Sequence, residues 1–153
     1  MRRPKLFDPN GDQHPRFKSA SIVFTEPIQR LSPNFVEIHR QAQIAESEEL
    51  TEIAGPGYRK ALEFLVKDYL ISRLPNEADE IKTSWISSCI KNKIVDPRIQ
   101  ALAAEANLLA TDEAHYERRY GNSEIGTLKK LISATVAWIE LEVFTDSVAS
   151  SSQ

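Results

Sequence analysis

Residues 57–70 read GYRKALEFLVKDYL, and this stretch decides the fold. Its apolar side chains recur at positions i, i+3, i+4 and i+7, which is the spacing of one face of an α-helix. That face consists of Tyr58, Ala61, Leu62, Leu65, Val66 and Tyr69. The stretch therefore predicts an amphipathic helix. The preceding Gly55-Pro56-Gly57 either starts this helix or kinks a longer one that begins near Thr51.

Four more helices are predicted around this one. Ser32-Pro33 and Asp96-Pro97 each place a capping side chain before a proline, which is a typical helix start. The first helix runs from Ser32 to about Glu49, and its acidic run 46–49 predicts a solvated end. The apolar face of the third helix consists of Ile81, Trp85, Ile86 and Ile90. That of the fourth helix consists of Ile99, Leu102, Ala103, Ala106, Leu109 and Ala110. That of the fifth helix consists of Leu128, Leu131, Ile132, Thr135, Trp138 and Ile139. The fifth helix is predicted to end near Thr145.

Short connections between such helices favour an all-α, antiparallel bundle of about five helices. Its core is expected to hold, in mutual contact, Tyr58, Leu62, Leu65, Tyr69, Trp85, Leu102, Leu131 and Ile139. Residues 1–31 differ, because they hold four of the eight prolines and only 21–25, SIVFT, predicts a short strand or extended strip. We therefore assign residues 1–31 to an irregular N-terminal arm, 32–146 to the bundle and 147–153 to a frayed tail.

Composition limits the class of protein. With 153 residues, 41% hydrophobic and 27% charged, the chain is typical of one globular domain. A lone cysteine, Cys89, can form neither an intrachain disulfide nor a CxxC zinc site, which indicates an intracellular, cytoplasmic protein. No apolar run reaches the roughly 20 residues of a membrane span, so we expect no membrane partner. His14, His39 and His115 lack the spacing of a metal motif, so we expect no metal and no cofactor.

Several segments resemble the DUF4145 family, a branch of the HEPN-like helical bundles. They are residues 32–38, 57–70, 112–116 (DEAHY) and 137–140 (AWIE), and the resemblance covers about residues 32–146. It implies a helical bundle that pairs as a dimer, in a setting of bacterial or phage defence. Catalytic HEPN proteins cleave RNA and carry an arginine four to six residues before the histidine, but residues 108–111 here read LLAT. The resemblance thus supports the fold more strongly than it supports nuclease activity.

A cluster around His115 is the candidate for chemistry. Asp112 lies three residues before it, and Arg118 and Arg119 lie three and four residues after it, so these side chains can meet on one helix surface. In an enzyme, His115 would be a general acid or base in metal-independent RNA cleavage and Arg118 would clamp phosphate. Asp112, Tyr116 and Arg119 are the candidate binding residues. The structural alternative is a surface network near a helix end.

The face that carries His115 also predicts self-association. Leu108 lies on this otherwise polar face, between the small side chains of Ala104 and Thr111, which let a second helix approach. We therefore predict a homodimer with Ala104, Leu108 and Thr111 at its seam, although a single exposed leucine is also normal on a monomer. The favoured function is a non-catalytic helical interaction module that self-associates and binds a protein or nucleotide partner. The alternative is a HEPN-type ribonuclease with RNA as substrate and a composite dimer site.

Overall fold

A computed structural model describes residues 22–112 and 124–152, and every regular element within these ranges is helical. The α-helices are α1 Glu26–Leu31, α2 Pro33–Ser47, α3 Thr51–Arg73, α4 Ala78–Thr83, α5 Ile86–Lys93, α6 Pro97–Asp112 and α7 Glu124–Ser151. A 3-10 turn, Pro75–Glu77, precedes α4. The all-α prediction is confirmed over the described residues. Their seven α-helices replace the predicted five.

Helix α3 lies at the centre of the bundle, and α1, α2, α5, α6 and α7 all contact it. The apolar face predicted from residues 57–70 is buried throughout. Pro56 lies inside the helix, which begins at Thr51, so the longer of the two predicted alternatives is confirmed. A Cβ added at Gly57 would lie 3.0 Å from the Cβ of Ala42, so the glycine allows α2 and α3 to pack closely.

The predicted core is confirmed in part. Buried side chains include Tyr58, Leu62, Leu65, Tyr69 and Ile139, while Leu102 and Leu131 are half-buried. The prediction is wrong for Trp85, whose side chain is 80% exposed. The expected third helix is broken there, because α4 ends at Thr83 and the backbone is extended at Ser84 and Trp85 before α5 begins. The two short helices therefore do not share one continuous apolar face.

The capping prediction holds at one helix and fails at another. At α6, the backbone N–H of Arg98 donates to Asp96 Oδ1 at 2.8 Å, as expected of a capping aspartate. At α2, Ser32 makes no side-chain cap, and its hydroxyl donates to the carboxylate of Asp68 on α3. Ser32 is fully buried, so this bond ties the start of α2 to the central helix.

Both ends of the described chain correct the sequence prediction. The segment assigned to an irregular arm contains the helix α1. Pro27 lies in the first turn of α1, where the missing N–H of proline costs no helical hydrogen bond, and Ile28 is buried. Residues 22–25 form neither a helix nor a paired strand, and residues 1–21 lie outside the described ranges. At the other end α7 continues to Ser151, beyond the predicted end near Thr145 and through most of the predicted frayed tail. Every residue from 144 to 152 is exposed.

Candidate interaction surfaces

The predicted chemical cluster falls largely outside the described residues. His115, Tyr116, Arg118 and Arg119 belong to residues 113–123, of which the structure gives no account. Asp112 is the last residue of α6. The catalytic and binding roles assigned to these five residues therefore remain predictions.

The predicted dimer seam lies on one face of α6. Ala104, Leu108 and Thr111 together line a groove between α5 and α6 with a volume of about 510 Å³, as their spacing predicts. The other lining residues are Ser87, Ile90, Lys91, Gln100 and Asn107. Leu108 is 48% exposed, and it is the one large apolar side chain in this groove that reaches solvent to that degree. The groove thus has a mostly apolar lining surface, in which Leu108 is the one large apolar side chain that is strongly exposed.

A larger uncovered apolar surface lies on α7. Leu141, Phe144 and Val148 follow one another at helical spacing, and their side chains are 61%, 66% and 51% exposed. Towards the start of α7 the same line continues with Ala137, Ala134 and Lys130, which are all exposed. At about 100° per residue these six positions fall within an arc of about 80°. We call these six residues the outer face of α7.

The opposite side of α7 packs into the bundle. Leu128, Ile132, Thr135 and Ile139 are fully buried there, as the sequence predicts. Within the described chain, α7 is covered on one side only, so Leu141, Phe144 and Val148 remain more than half exposed.

Acidic side chains in the second half of α7 are held in place by contacts with the bundle. Arg73 of α3 forms ion pairs with Glu142, at 3.5 Å, and with Asp146. The hydroxyl of Thr25 donates to Glu140 at 2.7 Å. A groove of about 630 Å³ runs beside Phe144, and residues of α1, the end of α3 and α7 line it. These contacts fix the flank of α7 against the bundle, so the outer face is presented on a supported helix.

A second cavity, of about 730 Å³, lies between the end of α3, the start of α6 and α7. The rings of Tyr69 and Trp138 meet there edge to face at 4.9 Å. Three cations line the cavity, and each has a carboxylate partner: Arg73 with Glu142 and Asp146, Lys93 with Glu77 and Glu80, and Arg98 with Asp96. Because these charges are already paired, the cavity offers little attraction to an anionic ligand.

A buried polar cluster joins α2, α3 and α7. His39 is 2% exposed and is enclosed by the rings of Phe24, Phe35 and Tyr58, with centroids 5.0 to 5.5 Å away. Its Nδ1 has no hydrogen-bond partner among the described residues. Burial lowers the pKa of His39 to about 4, and the positive charge of Lys129 acts in the same direction. A hydrogen bond with Gln43 and the negative charge of Glu46 oppose this shift.

The carboxylate of Glu46 is the centre of this cluster. The Tyr58 hydroxyl donates to it at 2.6 Å, and the Lys129 ammonium lies 3.1 Å from it. Burial and the bond to Glu46 raise the pKa of Tyr58. The sequence predicted a solvated helix end at 46–49, and this prediction is wrong for Glu46, which links α2 to α3 and α7.

Sequence reasoning missed the outer face of α7, although a signal for it was present. Leu141, Phe144 and Val148 keep a helical spacing, and Val148 lies past the predicted end of the helix near Thr145.

The described part of the chain contains no group of three or more His, Cys, Asp or Glu side chains arranged to hold a metal ion. Among the described residues, none of the helices has the length and apolar character needed to cross a membrane.

Comparison of the chain with protein-family models, with curated proteins and with solved structures found no match. Its function therefore has to be inferred from its own surfaces.

Proposed function

We propose that this chain is a helical interaction module that self-associates, and that two molecules meet on the outer face of α7. The observation that carries the proposal is the exposure of Leu141, Phe144 and Val148 in one line on a single helix. One exposed apolar side chain is ordinary on a monomer, whereas a contiguous apolar surface marks a place of contact. The resemblance of residues 32–146 to a group of bundles that pair as dimers adds support.

The last two turns of α7 give a second argument. Residues 144–151 are helical although all of them are exposed. Thr145, Ser147, Val148 and Ser150 are weaker helix formers than alanine or leucine. Most of the stability of a helix in a protein comes from packing of its apolar face. A partner that covers Phe144 and Val148 would supply the packing that the described residues do not give this end.

The size of the surface indicates a reversible contact. A helix of 28 residues such as α7 is about 42 Å long. A strip of this length and about 10 Å wide buries roughly 400 Å² on each molecule, or roughly 800 Å² in total, which is less than the roughly 1,200 Å² of a stable complex. We therefore expect a dissociation constant in the micromolar range.

The α6 groove is the competing location, because the sequence predicts the seam there. It offers one exposed leucine, where the outer face of α7 offers three large apolar side chains. Burial of apolar area is the main favourable term in association, so α7 is the better candidate.

A pair of matched variants tests the proposal. Phe144→Asp and Leu108→Asp each place a carboxylate on an exposed apolar position, one on α7 and one on α6. Light scattering measures association at protein concentrations from about 1 to 100 µM, a range that spans the expected dissociation constant. The Leu108→Asp variant should associate like the unmodified chain, and the Phe144→Asp variant should not associate. Loss of association in Leu108→Asp alone would place the contact on α6. No association of the unmodified chain would refute the proposal.

A further inference from the structure

We infer that the outer face of α7 binds the same face of a second copy of this chain, with the two helices antiparallel and centred on residue 139. This inference rests on the proposed function and adds the orientation and the register of the contact. Two features of α7 carry it: the order of large and small side chains along the face, and the position of Lys130 relative to the dipole of the partner helix.

The large and small side chains are arranged to fit a reversed copy. In an antiparallel pair centred on residue 139, Leu141 of one molecule faces Ala137 of the other. In the same register Phe144 faces Ala134, and Val148 faces Lys130, because each pair is placed symmetrically about residue 139. All six residues are exposed, and the three apolar side chains are then each opposite an alanine or the aliphatic stem of a lysine.

Other arrangements fit less well. If the centre moves to residue 141, Leu141 faces itself and Val148 faces Ala134, but Phe144 has no residue of the outer face opposite it, because Trp138 is half-buried against Tyr69. A parallel pair would place Phe144 against Phe144 and leave the alanines facing each other across a gap. When the pair is centred on residue 139, residues 126–152 of one molecule lie alongside residues 126–152 of the other. This register therefore uses nearly all of α7, over about 40 Å.

Electrostatics favours the same orientation. Lys129, Glu142 and Asp146 of α7 are already paired within the chain, with Glu46 and Arg73, so Lys130 is the charge that lies on the outer face. In an antiparallel pair, Lys130 of one molecule lies near the C-terminal end of α7 of the other, which is the negative end of its helix dipole. Parallel helices would instead place Lys130 beside Lys130. A two-fold contact requires a surface that complements itself, and this face meets that requirement.

Cysteine cross-linking tests the orientation. The buried Cys89 is first replaced with alanine, so that each variant carries a single thiol. Lys130→Cys and a size-tagged Val148→Cys are mixed and oxidised, and each is also oxidised alone. The mixture should give the mixed disulfide dimer, and each single variant should give little product, because a disulfide needs Cα atoms within about 7 Å. The matched control mixes Val148→Cys with Glu105→Cys, which lies at an exposed position of α6. This mixture should give no mixed disulfide dimer.

A distance measurement serves if a cysteine on the face weakens the contact. Ser152 is exposed and lies beyond α7, so a spin label at Ser152→Cys, in the chain that lacks Cys89, leaves the outer face intact. Two labels in an antiparallel pair centred on residue 139 should lie about 40 Å apart, and in a parallel pair under about 20 Å.

The outcomes separate the inference from the function on which it rests. The antiparallel pairing would be overturned if each single variant formed disulfide dimers, or if the two labels lay a short distance apart. The protein would still be a self-associating module. Association without any cross-link, together with a label distance that fits neither orientation, would also overturn the antiparallel pairing. A chain that stays monomeric at all concentrations would refute the proposed function and the inference together.

Discussion

Among single residues, His39 connects the folded state to pH. Its imidazole is 2% exposed, and Nδ1 has no partner among the described residues to accept its proton. The folded protein therefore holds His39 neutral, with a pKa lowered to about 4 from 6.5. The unfolded chain binds a proton below pH 6.5 and the folded chain does not until about pH 4. Stability is thus retained above pH 6.5 and lost as the pH falls towards 4.

We predict a loss of roughly 2 kcal/mol in the free energy of unfolding between pH 7 and pH 5 from this one residue. Urea denaturation across this range measures it. His39→Phe keeps a ring beside Phe24, Phe35 and Tyr58 but cannot titrate, so its stability should change much less over the same interval. An equal slope in the two proteins would show that His39 does not cause the dependence.

Single residues also show where sequence reasoning ends. A capping role for Asp96 could be predicted, because an aspartate before a helix bonds to backbone that is near in sequence. The roles of Ser32 and Glu46 could not, since their partners Asp68, Tyr58 and Lys129 lie on other helices. Local rules identify a residue that can make a bond, but the tertiary fold determines which partner it finds.

At the scale of single elements, α3 should be the least tolerant of truncation. Leu65 is fully buried in the centre of this helix, so Leu65→Ala leaves a cavity that its neighbours cannot fill completely. We expect a loss of roughly 2–5 kcal/mol in the free energy of unfolding, measured by chemical denaturation. The control on the same helix is Lys60→Ala at an exposed position, which should change stability by less than about 0.5 kcal/mol. Similar effects of the two changes would mean that the inward face of α3 is misplaced.

The elements that the sequence mispredicts have separate physical causes. A helical period locates apolar faces but does not reveal a break that lacks proline or glycine, as at Ser84 and Trp85. At α7 the predicted end near Thr145 is too early, because the serine-rich segment that follows is helical. At α1 the prolines of the segment predict an irregular arm, but Pro27 lies in a first helical turn, where proline is accepted.

The last turns of α7 should respond to protein concentration. Amide hydrogens of residues 144–151 belong to a helix end whose side chains are all exposed, so in the monomer they should exchange rapidly. Self-association covers Phe144 and Val148 and should slow this exchange. Hydrogen exchange compared at about 1 and 100 µM measures the change across the expected dissociation constant. Exchange in α2, which lies away from the outer face, provides the reference. Equal exchange at both concentrations would contradict a contact at this end of α7.

For the whole molecule, composition and period predicted an all-helical chain, a central helix at residues 57–70 and the inward face of α7. They did not predict which remaining surface would be left uncovered. Leu108 and Phe144 are both exposed apolar residues on helices, and only the packing of α7 against the bundle reveals a second apolar side that residues 22–112 and 124–152 leave uncovered. The choice between α6 and α7 as an association surface therefore required the three-dimensional arrangement.

Sedimentation equilibrium of the unmodified chain tests the central claim most directly. Self-association through α7 predicts a mass that rises with concentration from 17.3 kDa towards twice that value, with a midpoint in the micromolar range. Phe144→Asp should remain at 17.3 kDa under the same conditions. A mass of 17.3 kDa for the unmodified chain at every concentration up to about 100 µM would contradict the claim that this molecule is a self-associating interaction module.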